Sequence, residues 1–566
     1  MRGHPLRGSA KTTLRRLVAI AGSYGDDRVS AEKAALVTAL ARARLGRARD
    51  VHDLHEMLCF LRAYPDDAAV LAAVEGALAG FAARPDLRRF RRELGDSGIA
   101  GTTTSFSFFA RPALRLAERW GRYLSIDWRA FDGAPRLAGL LPQLTLYAER
   151  SAFDEPALEP RAWIERFKGE GETDAAFLVR GWHALDAAES VRSAHYDDLD
   201  PPLRLAPGPD TPCRTREKHA GLPVFWQRGA LARSRPDLAE AVRRRPISVR
   251  VCEGAEARAL IELARDTMVP RERDLEVFAY ANPADVRLID TGDGLVFACI
   301  GVSPERRSLL EAVYAFLMLK NGVAVGYSLC TVLFGSSEIA YNVFETFRGG
   351  ETALVFARLL SVVRHTFGSR SFAIDPYQLG HGNKEGLASG AFWFYQKLGF
   401  RPHDGDALAV LERELATMQR KKGHRSNLAT LKKLARAYVL WSLERPRTDV
   451  LGIVSVANVA LRVSAMLAER FGRDRDRAAR VCRAEATTRL GVRAADLRNW
   501  TAVERQAFDR WAPLVVALPG VESWSPAEKR EAVRVVRLKG GTNEDGFIEG
   551  LERHRKLRAA VLRLAR

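Results

Sequence analysis

Between Ala312 and Thr346 the chain carries a pattern that a β-meander satisfies and a helix does not. Ala312 to Leu319 is a nearly continuous apolar run, as expected of a strand covered on both faces. Asn321-Gly322 follows, and a two-residue hairpin turn wants φ > 0 at both positions, which this pair tolerates best. Val323, Val325, Tyr327 and Leu329 then alternate with the smaller Ala324, Gly326 and Ser328, so the large side chains share one face. Gly335-Ser-Ser337 turns the chain again into a third strand, Glu338 to Thr346. Three antiparallel strands therefore lead directly to Arg348-Gly-Gly350.

A helix follows the glycine pair. Ala353, Phe356, Ala357, Leu360, Val363 and Phe367 form its buried stripe, and Gly368 is its C-terminal stop. Phe372-Ala-Ile374 reads as a short strand ended by Asp375-Pro376. A glycine-rich loop from Gly380 to Gly386 leads to a second helix, with Leu387, Ala391, Phe394, Tyr395 and Leu398 on one face and Gly399 at its end. Upstream, the period switches to two at Ile247 to Val251, and Ala255 to Met268 is helical. Val286 to Asp290 and Leu295 to Ile300 form a further hairpin around Asp293-Gly294, a turn and not a phosphate loop, since no helix follows it.

The flanks read as helices. Val51, Leu54, Leu58 and Leu61 recur at helical spacing, as do Val70, Val74, Leu78 and Phe81. Asp198 to Pro212, with Pro201-Pro202 and Pro207-Gly208-Pro209, reads as a linker or exposed loop. After Phe400 the chain passes through Arg401-Pro402 and a short strand region, and from about Leu415 onward it is helical again. Lys539-Gly540-Gly541 reads as a connection, and Phe547 to Arg566 as one amphipathic helix. The expected fold class is α+β: a mixed, mostly antiparallel sheet with packed helices in residues 246–415, between helical regions at 1–245 and 416–566.

Formal charge is +19, from 88 Lys and Arg against 69 Asp and Glu. The two signs are interleaved along nearly every helix, and no basic tract with aromatic spacing stands out, so the charge supports a nucleic-acid partner only weakly. The six cysteines are scattered without a CxxC pair, which excludes a disulfide framework and zinc-ligand spacing and suits a reducing cytoplasm. His52, His55 and Glu56 share a helix turn, but two His without a third ligand point to a partly exposed helix face and not to a metal. The segment before Asp26 is basic, yet Leu17 to Ala21 is too short for a secretory core, so a loosely ordered start leading into a helix is expected. The apolar stretch Val450 to Leu461 is too short to span a bilayer. A soluble cytoplasmic protein with no membrane partner is the expectation.

Gly390-Ala-Phe-Trp-Phe-Tyr-Gln-Lys-Leu-Gly-Phe400, preceded by the hairpin, the strand, the glycine pair and the apolar helix, resembles the core of the GNAT superfamily of acyl-CoA N-acyltransferases. The resemblance covers about a third of the chain. It implies a GNAT-like sheet and acyl transfer, with acetyl-CoA as donor and a small-molecule or protein amine as acceptor, by direct attack in a ternary complex and without metal. The family's phosphate loop reads Arg/Gln-x-x-Gly-x-Gly/Ala. Arg348, Gly349, Thr352 and Ala353 fall into that frame, Glu351 replaces its middle glycine, and Gly350 substitutes if the loop shifts by one residue.

A pyrophosphate needs converging N–H donors, which the first turn of a helix supplies, and glycine lets it approach the backbone. A carboxylate such as Glu351 is itself favoured there by about 0.3–1 kcal/mol and competes for the same donors. The resemblance further implies Tyr395 as the acid that protonates the departing thiolate, whose pKa of ~8.5 lies close enough to a phenol's ~10 for transfer as the bond breaks. Glu345 or Glu338 would remove the amine's proton; spacing does not choose between them. Backbone N–H groups near Phe344 would polarise the thioester carbonyl. The asparagine that relatives place before the tyrosine has no match, with Asn383 and Ser389 as loose substitutes. Two alternatives stand beside this: a binding or scaffold protein that has kept the fold and lost the coenzyme, and an aminoacyl-tRNA-dependent transferase.

Overall fold

The computed structural model describes residues 9–154 and 158–566, and the fold is α+β. The loosely ordered start expected before the first helix falls on residues 1–8, outside the described residues. Two compact units emerge. The first holds the chain up to Leu231 together with Ala259–Ala279 and Lys320–Ala324; the second holds Ala232–Arg258, Tyr280–Leu319 and Val325–Arg566.

The first unit begins with helices Ala10–Ile20, Asp27–Arg42, Ala48–Ala63 and Ala68–Ala79. Ser9, Asp26 and Asp67 start three of them by accepting the N–H groups of Thr12, Arg28 and Val70, donors that would otherwise lack a partner. Lys33 Nζ lies 2.7 Å from Asp66 Oδ2, with both side chains removed from water. Ser23 O and Ser30 Oγ complete the hydrogen bonding around the pair, as burial of charge requires. His55 is fully buried, with Nε2 2.9 Å from Thr215 Oγ1, while His52 and Glu56 on the same turn are partly exposed.

The same unit contains a three-stranded antiparallel sheet of β1 (Thr104–Phe106), β2 (Leu124–Ile126) and β3 (Leu203–Leu205), in the order β1-β3-β2. β3 interrupts the linker or exposed loop expected from Asp198 to Pro212, of which residues 206–210 remain a mostly exposed loop. Leu203 and Leu205 are buried in a core with Trp120, Trp163, Trp182 and Tyr196. The strand is possible among so many prolines because they flank the paired residues and none has to donate within the ladder.

The second unit is built on a nine-stranded sheet. Its strands are β4 (Ser248–Cys252), β5 (Ala281–Asp290), β6 (Leu295–Val302), β7 (Ala312–Lys320), β8 (Val323–Leu333), β9 (Ser336–Val343), β10 (Ser371–Ile374), β11 (Arg401–Pro402) and β12 (Val439–Ser442). They lie in the order β11-β12-β10-β9-β8-β7-β6-β5-β4. Both turn dipeptides read from the sequence take positive φ: Asn321 50° and Gly322 78°, Asp293 56° and Gly294 68°.

β12 arises in a stretch expected to be helical. Its Val-Leu-Trp sequence pairs with β10 on one side and β11 on the other, so tertiary pairing overrides the local pattern. The helix Thr352–Phe367 ends at Gly368, φ 72°. The second expected helix is broken in two, Lys384–Ser389 and Ala391–Lys397, by Gly390 at φ 67°. The last helix is likewise two, Asp545–Arg553 and Arg555–Ala565, where the His554 ring accepts the Leu557 N–H and starts the second. The C-terminal helices form a core around Phe508, Trp511 and Phe547 that includes Ala373 of β10. All six cysteines are buried free thiols. Among the described residues no helix is long and apolar enough to cross a membrane.

Candidate functional site

β9 and β10 run parallel over three positions, with Ser336 opposite Ser371, Ser337 opposite Phe372 and Glu338 opposite Ala373. β10 then ends at Ile374, while β9 continues to Val343. Asp375 turns the β10 chain away: its Oδ1 accepts the Tyr377 N–H at 2.7 Å, and Pro376 opens a short helix. The strands therefore part just beyond Glu338, and residues 339–343 extend past the end of β10.

Side chains alternate along β9, so Glu338 and Tyr341 point to opposite faces. On the Glu338 face, the Tyr438 hydroxyl donates to Glu338 Oε2 at 3.1 Å. Burial, reinforced by the nearby Asp375 charge and partly opposed by that hydrogen bond, pushes the Glu338 carboxyl up to about 6. Ala373 shares this face and joins the C-terminal core, against which Tyr438 and Leu440 also pack.

On the other face the Tyr341 hydroxyl donates to Thr352 O at 2.9 Å, and its ring centroid lies 5.0 Å from Phe356 and 6.2 Å from Phe394. Tyr395 completes this aromatic cluster, 5.5 Å from Phe356, 5.1 Å from Phe394 and 6.0 Å from Phe400. It is 3% exposed, and burial raises its phenol well above the usual range.

Between β9 and the long helix the chain makes a single tight turn, Glu345–Phe347, with the Gly350 N–H bonded to Phe347 O at 2.9 Å. The Val355 N–H reaches Glu351 O. The amides of Thr352, Ala353 and Leu354 are thus first-turn donors without an intrahelical acceptor. Glu351 does not cap them; its Oε1 accepts the Ala232 N–H at 3.2 Å. At Gly349 an added Cβ would meet nothing within 4 Å, so the approach to the backbone there is open.

Two other residues named from the sequence are already engaged. The Phe344 N–H is bonded to Val325 O at 3.0 Å, because the β8–β9 pairing runs this far, so a donor to a thioester carbonyl would come from a neighbouring amide. Arg348 pairs through Nη2 with Glu385 at 2.6 Å and through Nε with Val343 O at 3.1 Å. Glu345 is exposed, so of the two candidate bases only Glu338 has a sheltered setting. Asn383 caps the helix Lys384–Ser389 through the Gly386 N–H, and Ser389 bonds Gly386 O.

The chain matches no family model, no characterised protein and no solved structure. Asp375 and Tyr438, which set the environment of Glu338, were not singled out from the sequence. Asp375 appeared there only as a strand terminator, and Tyr438 lies 100 residues from Glu338 in a stretch whose strand was hidden.

Proposed function

We propose that this protein is an acyl-CoA-dependent N-acyltransferase that moves an acetyl group from acetyl-CoA to an amine. The observation that carries the reading is the parting of β9 from β10 beyond Glu338, beside a helix start that Glu351 leaves uncapped. An extended, amide-bearing pantetheine arm suits the edge of β9 past β10, as strand addition does in peptide recognition. A diphosphate suits the first-turn amides of Thr352, Ala353 and Leu354 with the open Gly349 beside them.

In this reading the thioester carbonyl lies in the gap and the amine approaches from the Glu338 face, along the wall formed by the C-terminal helices. The amine nitrogen bonds to the carbonyl carbon and its proton passes to Glu338. Collapse of the tetrahedral intermediate breaks the C–S bond, and the thiolate takes the Tyr395 proton from the opposite face. A carboxyl near 6 is ionised at neutral pH and basic enough for the task. Burial makes the Tyr395 phenol a weaker acid than a free tyrosine, so its proton transfer requires a thiolate sheltered from water to the same degree. Carbonyl polarisation falls to β9 amides other than that of Phe344.

A second reading, a binding protein that retains the architecture without the coenzyme, draws on the Arg348–Glu385 pair and on the enclosure of Tyr395. Titration of the full chain with acetyl-CoA separates the two. Binding raises the thermal midpoint by mass action, and an unchanged midpoint at millimolar ligand sinks the transferase.

A further inference from the structure

The first unit contains a cavity of about 410 Å³, within the size range of small-molecule sites, about 300–1,000 Å³. One part of its wall is apolar, formed by Phe108, Leu114, Leu275 and Phe278. Five arginines line the rest: Arg111, Arg115, Arg119, Arg265 and Arg273. The carboxylates Glu118, Glu262 and Asp274 face them.

This concentration of like charge is only partly neutralised. Glu262 alone serves three guanidiniums. Its Oε2 accepts from Arg115 at 2.7 Å and from Arg119 at 2.6 Å, and its Oε1 from Arg265 at 2.9 Å. Asp266 gives Arg115 a second partner. Arg265 also donates to Phe278 O and Ala279 O, each at 2.9 Å. Those carbonyls satisfy hydrogen bonds without cancelling charge. Over the whole site five guanidiniums stand against four carboxylates, Glu118, Glu262, Asp266 and Asp274, and Arg111 stands exposed at the rim. The neighbouring charges of Arg115 and Arg111 add to burial in lowering Arg265. A cavity with surplus positive charge at one side and aromatic walls at the other matches a particular kind of molecule.

We infer that this cavity is a binding site for a small organic anion with an apolar body, held by the arginine cluster at its charged end and by Phe108 and Phe278 along its length. The site is independent of the transferase reading, since every residue in it belongs to the first unit.

The test uses the intact chain and two fluorescent probes, anilinonaphthalene sulfonate and its uncharged counterpart N-phenylnaphthylamine. Saturable binding of the sulfonate at one site per chain is expected, with the neutral probe about tenfold weaker or more, the factor lost with a charged hydrogen-bonding partner. Arg111→Ala removes an exposed side chain and should weaken the sulfonate by a similar factor while leaving the neutral probe unchanged. Leu114→Trp fills the cavity and should abolish both, with circular dichroism to verify that it is folded; Arg111→Ala carries the test if it is not. No sulfonate binding, equal affinity for the two probes, or sulfonate affinity indifferent to Arg111→Ala overturns the proposal.

Discussion

The Tyr438 hydroxyl lies 3.1 Å from Glu338 Oε2 and donates to it, joining the residue just before β12 to β9 at the point where β9 loses its parallel neighbour. In the proposed transfer, the other carboxylate oxygen is the one that takes the amine proton. The same shelter from water that raises Glu338 also makes it a costly residue for the fold.

That cost has a sign that can be measured. The folded chain holds the Glu338 proton more tightly than the unfolded chain, with the carboxyl at about 6 against an ordinary 4.5. Stability from this group is therefore complete below about 4.5 and declines as pH rises through about 6. Glu338→Gln keeps an acceptor for Tyr438 and removes the ionisation. Urea unfolding should show it more stable than the parent by roughly 2 kcal/mol near pH 8 and no different near pH 4. If acyl transfer is the activity, turnover should fall by about a hundredfold or more in the variant, and the parent's rate should drop below about pH 6.

Tyr395→Phe tests the opposite face. The ring packing survives and only the hydroxyl is lost. Turnover should fall about tenfold to a hundredfold while the affinity for acetyl-CoA stays level, the pattern of a group that acts only as the C–S bond breaks. Steady-state kinetics beside direct coenzyme titration would reveal it, and an unaltered turnover number removes the residue from the chemistry.

Gly349→Ala separates ligand approach from folding. The added methyl has open space around it, so stability should stay within about 0.5 kcal/mol. The same methyl stands where a diphosphate would approach the chain, and acetyl-CoA should bind about tenfold more weakly. Calorimetry of both variant and parent reads the two quantities.

Asn321→Ala probes the first unit. Asn321 Nδ2 donates to Ala63 O at 2.9 Å and Phe225 O at 3.1 Å, and its Oδ1 accepts the Phe225 N–H at 2.7 Å. The residue is 5% exposed and sits at φ 50°. Losing those bonds and forcing alanine into the left-handed region should cost about 3 kcal/mol. Asn321→Gly relieves the backbone alone, so a gap between the two variants in denaturant midpoint measures the strain separately.

The meander and the helix after it were legible because each rests on a local signal. Asn321-Gly322 fixes a turn, alternation from Val323 to Leu329 fixes a face, and Gly368 ends a helix by its own φ. The strand at Val439–Ser442 was not legible, since four residues cannot show a period and its partners, β10 and β11, lie elsewhere in the chain. For the same reason spacing could not choose between Glu338 and Glu345: the choice depends on Asp375 and Tyr438, which only pairing brings near. The engagement of the Phe344 amide was likewise hidden, because it follows from how far β8 and β9 stay in register. Gly390 broke a helix that the apolar stripe alone would have carried through.

The first unit takes in residues as late as Ala324, and this bears on how the protein is made. A nascent chain cannot finish that unit in the order of its synthesis. Helices up to Leu231 must wait, partly assembled, until Ala259–Ala279 and then the Asn321 turn have left the ribosome. Stalling translation while residues 320–324 are still inside the exit tunnel should leave a protease-sensitive intermediate, and extending the chain until they emerge should convert it to a resistant one.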